Sequence, residues 1–244
     1  MTGEISRPES ARNLPADALP ASKGRKHRWT RRILYGVVAL LALVVLGSWA
    51  FIKFQPTLPP LALSTASPPA GALDGTWAVS AGSVAGFRVP ETAFGMSNDV
   101  VGRTTAVSGT VVISGDQVTS ATFRIDLAVL KVNGKPQPQF ARSLDTQSFP
   151  EATFTLAKPV DLGSSFASGA TVNLSATGRL TMNGVTHLVT ATVSARRDGA
   201  ALEVAGSIPV TFSAWGIKGP AGYGFFASLA NHGTAEFLVS AHRL

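Results

Sequence analysis

The chain has 244 residues, 45% of them hydrophobic and only 14% charged, a net charge of +7 and no cysteine. The missing cysteine excludes disulfides, thiolate metal sites, a cysteine nucleophile and a lipid-modified cysteine anchor. The charge is segregated: residues 1–53 hold nine Lys/Arg against three Asp/Glu, and residues 54–244 hold twelve against eleven. The body therefore lacks the basic face that a nucleic-acid binder needs, and nucleic acid is not an expected partner.

Residues 1–32 read as a disordered basic tail, Pro/Ala/Ser-rich at first and then concentrated in Lys23, Arg25, Lys26, Arg28, Arg31 and Arg32. Residues 33–54, ILYGVVALLALVVLGSWAFIKF, carry no charge until Lys53. About 20 apolar residues match a hydrocarbon core of about 30 Å, so this stretch is expected to be one transmembrane helix, a signal anchor. The positive-inside rule puts the N-terminus in the cytoplasm and the remainder outside the cell membrane, single-pass. The rival is secretion after cleavage near Ala50, where Ser48-Trp49-Ala50 has a small-x-small pattern. Trp49 inside that motif and the length of the apolar run favour the anchor. Residues 55–74 are Pro-rich without helical period and read as a tether, whose reach as a flexible coil is roughly 25 Å.

Residues 75–244 follow a period of two. Phe123, Ile125 and Leu127 alternate with Arg124 and Asp126. Leu202, Val204, Gly206, Ile208, Val210 and Phe212 alternate with Glu203, Ala205, Ser207, Pro209 and Thr211. The clearest segment is Thr171–Ala195. Folded at Asn183-Gly184, the sequence type of a two-residue hairpin turn, it pairs Val172 with Ala195, Leu174 with Val193, Ala176 with Ala191, Gly178 with Val189 and Met182 with Val185 on an apolar face. The other face is a ladder of hydroxyl and amide side chains. His187, opposite Leu180, interrupts the apolar face. A short helix is expected around Pro138–Leu144.

Strands of about twelve residues with one apolar face suit a closed up-and-down barrel, which removes exposed edges. The fold class is therefore all-β, an antiparallel barrel of about eight strands with a short helix, preceded by one transmembrane helix. Such a barrel either fills its interior or holds one small ligand. Ala176, Gly178, Ala191 and Ala195 fill little volume, which leaves room for a tunnel unless Phe or Trp from the opposite wall occupies it. A tunnel would be lined by Phe87, Phe123, Ile125, Leu127, Phe154, Leu174, Ala176, Leu180, Val189, Ala191, Val193, Phe212, Trp215, Phe225 and Phe237.

The stretches WAVSAGSVAGFRV, VGRTTAVSGTVVI, ARSLDTQSFPEATFTL, TGRLTMNGVTHLVTATV and IPVTFSAWGI, in this order, resemble the YceI-like family of bacterial lipid-binding, or polyisoprenoid-binding, proteins. Leu144–Phe154, with Phe149-Pro150 and Thr153-Phe154, and Gly178–Val189 carry the resemblance best. It implies an extended, lipocalin-like barrel whose tunnel holds the chain of an isoprenoid or similar amphiphile. Where many members carry an Arg-Asp pair entering the short helix, this chain has Pro138, Gln139 and Phe140, with Arg142 retained nearby.

No catalytic signature accompanies the pattern. G-x-S-x-G, P-loop and H-E-x-x-H motifs are absent, and the four histidines do not fall at metal-ligand spacing with carboxylates. Neither enzyme, metal nor cofactor is expected, apart from a bound isoprenoid or quinone-like lipid. His187 and Arg142 are the candidates for contact with a polar head group; the competing readings are exposed rim for His187 and a surface ion pair for Arg142. The leading function is a membrane-tethered lipid carrier, with an amphiphilic lipid as partner and a homodimer admitted. A filled, structural or stress-related envelope barrel that binds a protein is the alternative. An isomerase or dehydratase would need an acid and a base inside the barrel, where almost only His187 is offered.

Overall fold

The computed structural model describes residues 26–53, 58–93, 95–219 and 227–244. The chain forms two compact units, Met1–Gln55 and Pro56–Leu244. In the first, helix α1 runs from Lys26 to Lys53. Its apolar side chains, among them Leu34, Leu40, Leu43 and Val45, are exposed. The expected span 33–54 lies within this helix up to Lys53, but the helix begins at Lys26, which corrects the disordered reading of residues 26–32; residues 1–25 of the expected tail, Phe54 and residues 55–57 of the expected tether lie outside the described residues. Over the described residues, no helix is long and apolar enough to cross a membrane.

The second unit is a closed antiparallel barrel. Its strands are β1 (Gly75–Val79), β2 (Val84–Ala93), β3 (Met96–Thr104), β4 (Val107–Ser114), β5 (Gln117–Asp126), β6 (Lys131–Val132), β7 (Glu151–Leu156), β8 (Val160–Asp161), β9 (Val172–Met182), β10 (Val185–Asp198), β11 (Ala201–Thr211), β12 (Ala227–Leu229) and β13 (His232–Arg243). Eight wall positions follow in the order β1/β2, β3/β4, β5, β7, β9, β10, β11 and β13, and β13 closes the circle by pairing with both β1 and β2. β1 and β2 are thus two halves of one broken strand. At the break, the Ser83 hydroxyl donates to the Ser80 carbonyl (2.9 Å) and accepts from Ser240 N–H (3.0 Å), so β13 keeps a partner where the ladder is interrupted.

The β9–β10 hairpin has the register expected from the sequence, including His187 opposite Leu180. Asn183 (φ 49°) and Gly184 (φ 72°) supply the positive φ angles of its turn. On the outer face, the Thr181 and Thr186 hydroxyls lie 2.7 Å apart and Ser194 donates to Asn173 at 2.6 Å. The expected short helix, α2, spans Pro138–Ser143 with proline in its first turn. The two segments richest in family pattern meet in space. The ring of Phe149 lies over Gly184, and that of Phe154 lies over Gly178.

Residues 58–74 have no helix or strand, as their composition predicts, and hydrogen bonds join them to the barrel. Arg88 donates to the Leu58 carbonyl (2.8 Å) and Arg103 to that of Pro59. Ser64 donates its hydroxyl to Glu203 (3.1 Å), which is paired with Arg196. Ala70 N–H donates to Gly199 O (2.8 Å), and Arg197 binds the carbonyls of Ala70 (2.6 Å) and Gly71 (2.8 Å). These residues form a strap. Proline-rich backbone has carbonyls but few N–H groups to pair within itself, and barrel arginines occupy those carbonyls.

An apolar tunnel with a polar recess at its mouth

One end of the barrel is plugged. Trp77, 1% exposed, donates its indole N–H to the Leu73 carbonyl (2.9 Å) and packs in one core cluster with Leu162 and Phe166. Above this plug lies a cavity of about 470 Å³, within the range of small-molecule sites. Its wall is almost wholly aliphatic and aromatic. The charged residues among its described lining are Lys218 and Glu236, and the Glu236 carboxylate is engaged by Arg88 and Arg103.

Four of the lining phenylalanines stay clear of this space, because each has a glycine to lie on. Phe87 pairs with Gly102, Phe123 with Gly109 and Phe237 with Gly206 across neighbouring strands, and Phe154 covers Gly178. A Cβ on Gly178 would stand 2.2 Å from the Phe154 ring, and one on Gly206 would stand 2.4 Å from the Phe237 ring. With no Cβ beneath them, the rings settle against the wall and leave the axis open. In Gly178→Ala the Phe154 ring is expected to swing into the lumen, lowering the amount of lipid bound per chain at a stability cost of about 1–3 kcal/mol. Adding Phe154→Leu should restore the capacity, as read by lipid bound per mole of protein.

Of the expected wall residues, Phe87, Phe123, Ile125, Leu127, Phe154, Leu174, Ala176, Leu180, Ala191, Val193, Phe212 and Phe237 line the cavity. Phe225 lies outside the described residues. Val189 and Trp215 are corrections. Val189 packs against the core without lining the cavity, and the Phe154 ring covers its partner Gly178. Trp215 belongs to a 3₁₀ turn, Phe212–Trp215, that ends β11, and its indole N–H points at the Leu180 carbonyl (3.4 Å) as part of the core.

His187 does look inward, as its register requires, but this turn claims it. Its Nε2 lies 2.8 Å from the Ala214 carbonyl, and its ring meets Trp215 edge-on at 4.8 Å. It lines neither the cavity nor the recess beside it. Arg142 stands differently. Asp145 in left-handed conformation (φ 45°) stops α2, with Thr146 N–H bonded back to Ala141 O (3.0 Å). This fixes Arg142, in the last turn, on a polar recess of about 360 Å³. Arg142 forms no ion pair among the described residues, which corrects the surface-pair reading. Gln139, Ser143, Asp145, Asn183, Gly216, Lys218 and Gly219 complete the recess. Lys218 carries no periodic or motif signal; only the fold brings it to Arg142.

Among the described residues, no three potential metal ligands gather.

A closed antiparallel barrel with an apolar tunnel, plugged at one end and polar at the other, defines the class of small barrels that enclose a hydrophobic ligand. Residues 77–240 match the model of the YceI-like domain, and the chain belongs to the YceI-like family. A polyisoprenoid binding domain from Saccharophagus degradans, implicated in plant cell wall breakdown, superposes with a TM-score of 0.51 at 14% identity, covering 70% of this chain and 100% of that one. BcnA of Burkholderia cenocepacia gives a TM-score of 0.47 at 20% identity, over 63% of this chain and 95% of its own. No curated protein matches the chain.

Proposed function

We propose that the protein is a membrane-tethered lipid-binding protein that sequesters or carries an isoprenoid-type amphiphile in its barrel, on the outer face of the membrane. The observation that carries this reading is the cavity of about 470 Å³, walled by apolar side chains and kept clear by phenyl rings laid on glycines. Each CH₂ that leaves water for such a wall contributes about 0.8 kcal/mol before the costs of binding. The polyisoprenoid binding recorded for the Saccharophagus degradans domain is the chemistry this wall suits. The tether reading rests on the uncharged run from Ile33 to Ile52, the exposed apolar side chains of α1 and the basic cluster before it. The role is physical shielding of a chain, with no bond made or broken. An alternative, a barrel that serves only as a scaffold for a protein partner, would have no need of an open lumen.

Mass spectrometry of lipids extracted from the full chain, purified from its native host, tests the proposal. A stoichiometric isoprenoid, quinone or related lipid is expected. Reproducibly lipid-free protein that also takes up no added polyprenyl lipid would overturn it and bring the scaffold reading forward.

A further inference from the structure

The polar recess adjoins the apolar tunnel: Ser143, Lys218 and Gly219 line both. A chain lying in the tunnel with its end at this mouth would place that end beside Arg142 and Lys218. Both side chains are exposed, and neither forms an ion pair among the described residues. Four strand arginines are satisfied within the barrel and its strap. Arg88 and Arg103 share Glu236, Arg196 has Glu203, and Arg197 has the carbonyls of the strap. Arg142 and Lys218 are the two cations that line the recess, at the place where a ligand would end. The recess holds one carboxylate, Asp145, against two cations, so its charge is positive. Its shape is set by structure: the αL stop at Asp145 holds Arg142, and the Asn183 amide donates to Trp215 O (2.9 Å), holding the turn that leads to Lys218.

We infer that the recess binds an oxyanion head group, phosphate or carboxylate, on the lipid whose chain fills the tunnel. This rests on the carrier reading and narrows it from amphiphiles in general to anionic ones. Arg142 offers a planar fork of donors and Lys218 a compact ammonium, so together they engage an oxyanion from two sides. A neutral quinone or alcohol head has no charge for them to meet.

The test is native mass spectrometry of the full chain released from detergent micelles, offered a polyprenyl phosphate or the polyprenol of equal chain length. The phosphate is expected to bind at least about tenfold more tightly than the alcohol. In the double variant Arg142→Gln, Lys218→Gln this preference, read as the ratio of phosphate to polyprenol affinity, should collapse to near one. A fatty acid compared with its methyl ester distinguishes carboxylate from phosphate as the favoured oxyanion. Both residues are exposed, so the variants should melt with the parent. Equal binding of phosphate and alcohol, or a preference that survives the double variant, would overturn the head-group assignment with the carrier reading intact. Failure of every long-chain ligand to bind would remove the carrier reading itself, and this inference with it.

Discussion

In Ala191→Trp, lipid uptake is expected to fall at least about tenfold while the melting temperature holds or rises. Ala191 is 2% exposed and faces the cavity opposite Ala176. An indole there has empty space to enter, so it does not incur the overpacking cost of a filled core. It buries its own apolar surface in the lumen and so takes the room of the ligand's chain. The loss comes from displaced ligand contacts: about 1.4 kcal/mol of them is tenfold in affinity. Ala176→Trp, from the facing strand, should behave in the same way. The measurement is uptake of a polyprenyl lipid with circular dichroism and Tm as controls. Unchanged uptake by a folded variant would mean that the chain does not run past this level of the barrel.

The second large effect is on stability. Glu236 is 6% exposed and accepts from Arg103 at 2.9 Å, while Arg88 Nε lies 3.5 Å from its other oxygen, in ion-pair range. Glu236→Ala leaves two largely buried guanidinium groups side by side, with Asp99 (3.0 Å from Arg88) and the strap carbonyls of Leu58 and Pro59 as what remains. Removing one partner of a buried charge group costs about 3–5 kcal/mol, because the survivors stay desolvated. Asp99 offsets part of this for Arg88, so about 3 kcal/mol is expected, read from urea unfolding of the full chain. Protease cleavage near Leu58 should quicken in parallel, since the strap is fastened to the same arginines. A loss below about 1 kcal/mol would show that Asp99 and the carbonyls suffice.

Much of the barrel was legible in the sequence because period two and Asn183-Gly184 act together. A one-residue slip of β9 against β10 would turn Leu174 and Leu180 outward, so the hairpin had one acceptable register. The inward faces of β5, β11 and β13 followed from the same alternation. Three things were not legible. The break between β1 and β2 depends on the Ser83 hydroxyl reaching Ser240, a contact of no local pattern. The state of the lumen depended on which residue faces each phenylalanine. Phe87 and Gly102, or Phe237 and Gly206, are unremarkable until the strands are paired. The recess is assembled from α2, the Asn183 turn and Gly216–Gly219, three pieces distant in the chain. Sequence reading therefore found Arg142 without Lys218, and offered His187, whose ring is taken up by Trp215 and Ala214.

The strap has a mechanical consequence. A pull on the chain at its Leu58 end meets the Arg88 and Arg103 clasps first, then Ser64 on Glu203, then Ala70 and Gly71 on Arg197, before any of it reaches β1. These attachments lie in series. None of them is a contact of the β ladder, so the register of the wall does not depend on any one of them. A load on Leu58 thus meets the strap's attachments before it meets the wall of the bore.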